Sequence, residues 1–80
     1  MHINAVTDPA TLKIEAAISS LPPNVRRLMT LADINLGGKT ISVADIDRKL
    51  AASDASDRRM STIDKLSLKL GLNRAGLLVD

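Results

Sequence analysis

A chain with no Phe, Tyr, Trp or Cys among its 80 residues has few ways to build an interior. The core has to come from Leu, Ile, Val, Met and Ala, and neither a disulfide nor a cysteine-based metal site can staple it. A domain of this length buries only roughly 60–65% of the surface its unfolded chain exposes, so a partner or a second copy would add stability that the core alone does not supply. The missing aromatics also remove the stacking platforms on which single-stranded nucleic acid is usually held. About a quarter of the residues are charged, with both signs interspersed, which suits a folded surface rather than a disordered chain.

The breaks in the chain divide it into four helical segments. Residues 1–7 carry no strong pattern and read as a flexible arm. A first helix opens at Asp8, a capping carboxylate, with Pro9 in the first helical position at no hydrogen-bond cost. Ile14, Ala17, Ile18 and Leu21 fall on one face of it, and Pro22-Pro23 ends it. A second helix runs from Pro23 or Asn24 to Asn35, with Val25, Leu28, Met29, Ala32 and Leu36 inward and Gly37-Gly38 as its stop. Ser42-Val43-Ala44-Asp45 is a capping box with Asp in place of Glu, and Ile41 and Ile46 occupy the hydrophobic-staple positions. That third helix buries Val43, Ile46 and Leu50. Ser53-Asp54-Ala55-Ser56 then favours a turn, and a fourth helix spans about 57–70 with Met60, Ile63, Leu66 and Leu70 inward. Gly71 ends it, and Asn73 to Leu78 form a last turn whose Leu77 and Leu78 close the core. The expectation is a single all-α domain over residues 1–80, a small bundle of four short helices with a helix-turn-helix-like C-terminal half.

Charge is unevenly distributed. Between residues 58 and 74, Arg58, Arg59, Lys65, Lys69 and Arg74 face only Asp64, whereas the six basic residues before position 58 are outnumbered by seven acidic ones. A helical wheel of about 100° per residue clusters Arg58, Lys65 and Lys69 opposite the expected core stripe, flanked by Ser61 and Thr62. Cations and hydroxyl donors along one exposed ridge are what phosphate contact requires, and a helix fits a major groove. Any amphipathic helix also places charge opposite its core, and cations near its C-terminal half favour the helix dipole. Arg26-Arg27 would extend a phosphate-binding surface if folding brought the second helix beside the fourth.

Two family resemblances accompany these segments. The third and fourth helices are similar in order to a helix-turn-helix, whose second helix enters the groove. Leu50-Ala51 resembles the Leu-Ala pair often found in the first helix of that motif, and Ser56 stands where the recognition helix is capped. The turn has no Gly, and Ala55-Ser56-Asp57 lacks the apolar residue that usually packs after it. Asp33-Ile34-Asn35-Leu36-Gly37-Gly38, followed by Thr40 to Asp45, resembles a degenerate EF-hand or dockerin loop. That likeness implies calcium held by alternating oxygen ligands and a closing carboxylate. Here the spacing from Asp33 to Asp45 is one residue too long, Gly37 stands at a ligand position and the closing carboxylate is the shorter Asp. Gly38-Lys39-Thr40 matches only the tail of a phosphate-binding loop, since Asp33 occupies the place of its first Gly and no strand pattern precedes it.

Catalysis is hard to assemble from this inventory. His2 is the only imidazole and lies in the arm, there is no thiol or phenol, and the aspartates are dispersed along the helices. No apolar run approaches the ~20 residues of a membrane-spanning helix, and Met1-His2-Ile3-Asn4 lacks signal-peptide features. A cytoplasmic, non-enzymatic protein without cofactor or metal is expected. The leading function is a duplex-DNA-binding regulator that uses Arg58, Arg59, Ser61, Thr62, Lys65, Lys69 and Arg74. The alternative is a protein-interaction adaptor or homodimer that uses an exposed patch of Leu68, Leu72, Leu77 and Leu78.

Overall fold

A computed structural model describes residues 9–57 and 59–80. Among the described residues the chain is mostly helical. Its elements are α1 (Pro9–Ser19), α2 (Pro23–Leu31), β1 (Ile41–Ser42), α3 (Val43–Asp54), α4 (Thr62–Arg74) and β2 (Leu78–Val79). Asp8, His2 and the arm lie outside the described residues, as does Arg58. The two strands pair in parallel, with Ile41 opposite Leu78 and Ser42 opposite Val79. That pair replaces the expected C-terminal helical turn and takes the fold out of the purely all-α class.

Pro22 and Pro23 act as expected at the break between α1 and α2. Pro22 is the extended N-cap of α2 and Pro23 its first helical residue, where the missing N–H has no partner to lose. α1 lays Ile14, Ala17 and Ile18 against the core, half-buried. α2 buries Val25, Leu28 and Met29 and packs on α4.

α2 stops earlier than Asn35. Its cap is Ala32, and Asp33 takes a left-handed conformation with φ +58°. The Asp33 N–H bonds the Thr30 carbonyl at 3.1 Å and the Ile34 N–H bonds the Met29 carbonyl at 2.8 Å. This paired arrangement is a Schellman motif, which satisfies the orphan carbonyls and turns the next apolar residue inward. Ile34 is accordingly buried. Gly37 and Gly38, both at positive φ, instead form a tight turn closed by the Lys39 N–H on the Leu36 carbonyl, and it aims the chain into β1.

α4 ends in the same way. Gly76 sits at φ +75°, its N–H bonds the Asn73 carbonyl at 3.0 Å, and the Leu77 N–H bonds the Leu72 carbonyl at 2.9 Å. Leu77 is buried in consequence. Gly71, expected to stop the helix, lies inside it for a different reason. A Cβ at position 71 would come within 2.6 Å of Cγ2 of Val25, so this glycine sets how closely α4 can approach α2.

The Ser42 cap of α3 forms as expected, its Oγ accepting from the Asp45 N–H at 3.1 Å. The helix continues through Ser53 and Asp54 rather than breaking there. α4 starts at Thr62, not near residue 57. Ser61 is its N-cap and accepts from the Asp64 N–H at 3.0 Å. Ser61-Thr62-Ile63-Asp64 thus repeats the pattern of Ser42-Val43-Ala44-Asp45. The core joins Leu21, Val25, Leu28, Ile46, Leu50 and Met60 to Leu68, Leu72 and Leu77.

Candidate interaction face of the last helix

The later start of α4 comes with a rotated inward face. Leu68 and Leu72 are fully buried, while Ile63, Leu66 and Leu70, expected inward, are 75%, 56% and 45% exposed. Leu68, Leu72 and Leu77 therefore belong to the core and cannot form the exposed partner patch expected of them; Leu78 is half-buried in β2. The physical reason is that apolar residues surround this helix. Periodicity alone does not choose between the two stripes, and the close approach to Val25 at Gly71 fixes which side meets α2.

The basic residues follow the same rotation. Lys65 pairs with Asp54, and Nζ of Lys69 lies 2.6 Å from a carboxylate oxygen of Asp47, so both lysines lean onto α3. Nε of Arg59 donates to the Asp54 carbonyl at 3.3 Å. Ser61 is occupied as the cap, and Thr62 and Arg74 are exposed at opposite ends of α4. The expected row of Arg58, Lys65 and Lys69 is therefore not an open cationic strip: two members are matched by carboxylates and the third lies outside the described residues. Ion pairs of this partly exposed kind contribute about 0–1 kcal/mol, so they orient the side chains more than they stabilise the fold.

What α4 turns outward is a stripe of Ile63, Leu66 and Leu70 at i, i+3 and i+7, bordered by Thr62, Asn73 and Arg74, all exposed. Asp64, the helix's one carboxylate, is half-buried and lies off this face. Full burial of a Leu or Ile side chain is worth roughly 1.5–3 kcal/mol, which these three largely forgo. Beside the stripe runs a groove of about 500 Å³ between the α1–α2 junction and α4. Leu70 belongs to both, so stripe and groove form one continuous surface.

The segment from Asp33 to Asp45 singled out by the sequence is otherwise engaged. Oδ1 of Asn35 accepts from the Gly37 N–H at 3.1 Å, and the Asp45 carboxylate pairs with Arg48. Asp33 serves as the left-handed stop of α2 and its carbonyl accepts from Nζ of Lys49 at 3.1 Å. Among the described residues no three His, Cys, Asp or Glu side chains converge as a metal site. Arg26 and Arg27 are exposed on α2, and Nη2 of Arg27 donates to Oδ1 of Asn24 at 3.1 Å. Among the described residues no helix is long and apolar enough to cross a membrane.

The Ser-x-x-Asp pattern at 61–64 would have located the start of α4, with its N-terminal turn at Thr62 and Ile63 rather than at Arg58, but not its face, which is set by the contact of Gly71 with Val25. No protein-family model matches the chain, and no curated protein or solved structure does either. The reading of function accordingly rests on this surface.

Proposed function

We propose that the protein is a non-enzymatic interaction module that docks another protein through the outward face of α4. The observation that carries this reading is the exposure of Ile63, Leu66 and Leu70 in one row beside a groove. Scattered exposed apolar residues are ordinary, but a contiguous row rimmed by polar groups marks an association surface. In helix-mediated recognition the anchors recur at this i, i+3, i+7 spacing. A photo-crosslinking group introduced at Leu66 tests the reading in cells, with the same group at exposed Arg48 on α3 as reference. Discrete protein adducts are expected from position 66 only, competed by excess unmodified protein but not by an Ile63→Asp/Leu66→Asp variant. Equal adducts from both positions would end the assignment.

A second reading, duplex-DNA binding by a regulator, has its own support. α3 and α4 follow one another in the chain order of a helix-turn-helix, although residues 55–61 make a longer connection than the roughly three- or four-residue turn of that motif. Arg59 and Arg74 are exposed near its two ends, and no carboxylate lies on the outward face between them. The surface pairs that hold Lys65 and Lys69 are weak enough to be exchanged for phosphates. On this reading, affinity for generic duplex falls steeply with salt, and Arg59→Ala and Arg74→Ala each reduce the slope by about one. A slope unmoved by both changes removes this surface from any DNA contact.

A further inference from the structure

The surface beside α4 is chemically one-sided. From this, and resting on the protein-docking reading above, we infer the class of partner: an amphipathic helix with acidic flanks, laid along α4. Its aliphatic anchors contact Ile63, Leu66 and Leu70, and one of them enters the groove.

The groove has an apolar floor that includes Leu21 and Val25, and neutral polar groups at Ser20, Asn24 and Ser67. Arg74 is the ionisable side chain that lines it, and no carboxylate does. Arg27 does not line the groove, but its guanidinium is bonded to Asn24, which does. Two further concavities of the described surface each include a carboxylate, Asp45 beside Lys39, Arg48 and Lys49 in one and Glu15 in the other. A partner seated beside α4 therefore meets guanidinium groups without compensating acids, and complementarity selects carboxylates for its flanks.

The shape favours a helix. Ile63 to Leu70 spans about 10.5 Å along α4, or two turns, which is the reach of anchors at i, i+3 or i+4, and i+7 on a facing helix. A strand has nothing to pair with here, because the backbone of α4 is hydrogen-bonded within the helix. A second copy is disfavoured by the same charges. In an antiparallel two-fold pairing each Arg74 lies beside the positive N-terminal end of the other α4, near Arg59, and in a parallel pairing Arg74 meets Arg74.

The test uses the full chain and two fluorescent helical peptides with one shared leucine stripe, flanked in one by Glu and in the other by Lys, read by anisotropy. The Glu-flanked peptide should bind at least about ten-fold more tightly at low salt. Leu66→Ser should weaken its binding, while Arg74→Glu, and independently Arg27→Glu, should reverse the preference. All three positions are exposed, and circular dichroism confirms that each variant remains folded. Equal binding of both peptides, lost in Leu66→Ser, would overturn the acidic partner while leaving the docking face intact. Binding of neither peptide by a chain that sediments as a Leu66-dependent dimer would make a second copy the occupant. A monomer that binds neither peptide would remove both readings, and displacement of the Glu-flanked peptide by duplex DNA would transfer the surface to nucleic acid.

Discussion

α3 and α4 start alike and finish differently. Each is opened by a serine whose hydroxyl accepts the amide of an aspartate three residues on, and each buries two large aliphatic residues, Ile46 and Leu50 in one and Leu68 and Leu72 in the other. On α3 the remaining surface carries Asp47, Arg48 and Lys49, as a solvated helix does. On α4 the lysines lean back onto the aspartates of α3, and the face left to water is aliphatic. Identical starting chemistry thus yields one helix that is finished by solvent and one that is left incomplete. That incompleteness is the observation on which the proposed docking function rests.

Truncating the two stripes of α4 separately should give the largest contrast. Leu68→Ala should cost about 2–5 kcal/mol in urea unfolding, as buried leucines do, whereas Leu66→Ala should stay within about 0.5 kcal/mol of the parent. Equal costs would mean that α4 is rotated about its axis relative to the arrangement described.

Gly71→Ala comes next. Helix propensity favours the change by about 1 kcal/mol, but the added methyl meets Val25 at 2.6 Å, and overpacking of this kind typically costs about 1–3 kcal/mol. A net loss of about 1 kcal/mol is expected, with restoration in a Gly71→Ala/Val25→Ala pair relative to Val25→Ala alone. A thermal midpoint raised by the single change would contradict the close packing of α2 on α4.

The two serine caps offer a smaller, signed test. Ser42→Ala and Ser61→Ala should each destabilise by about 1 kcal/mol. Were α4 to begin near residue 57, position 61 would be interior and alanine there would stabilise instead, so the sign of the Ser61 effect locates the helix start.

The smallest effect belongs to the seam between the helices. A double-mutant cycle on Asp54 and Lys65 should give a coupling of about 0.2–1 kcal/mol that shrinks as salt is added. A salt-insensitive coupling well above that range would place the pair in the interior.

Local chemistry made much of this fold readable in the sequence. The proline pair, the Ser42 cap and the inward faces of α1 to α3 depend on residues within one or two turns of each other. The face of α4 depends on contacts distant in sequence. Ile63, Leu66, Leu68, Leu70 and Leu72 decorate the helix nearly all round, so the choice of stripe falls to Val25 on another helix, opposite a glycine that reads locally as a stop. The end of α2 was obscured in a similar way, because Asp33 takes a left-handed role usually given to glycine while a Gly-Gly pair stood nearby to suggest a later end. The candidate surface was hardest to read for the same reason: the lysines' charge was visible, but the aspartates that meet them lie on a different helix.

The parallel pairing of β1 with β2 also carries a mechanical consequence. Ile41 follows the turn after α2 and Leu78 follows α4, so the short ladder fastens both ends of the α3–α4 unit to one another. In a parallel pair the chain enters one strand and leaves the other at opposite ends. Tension between Lys39 and Asp80 would thus load the ladder in shear, straining its bonds together instead of peeling them one at a time, and α4 would be shielded from the pull until that clasp slipped.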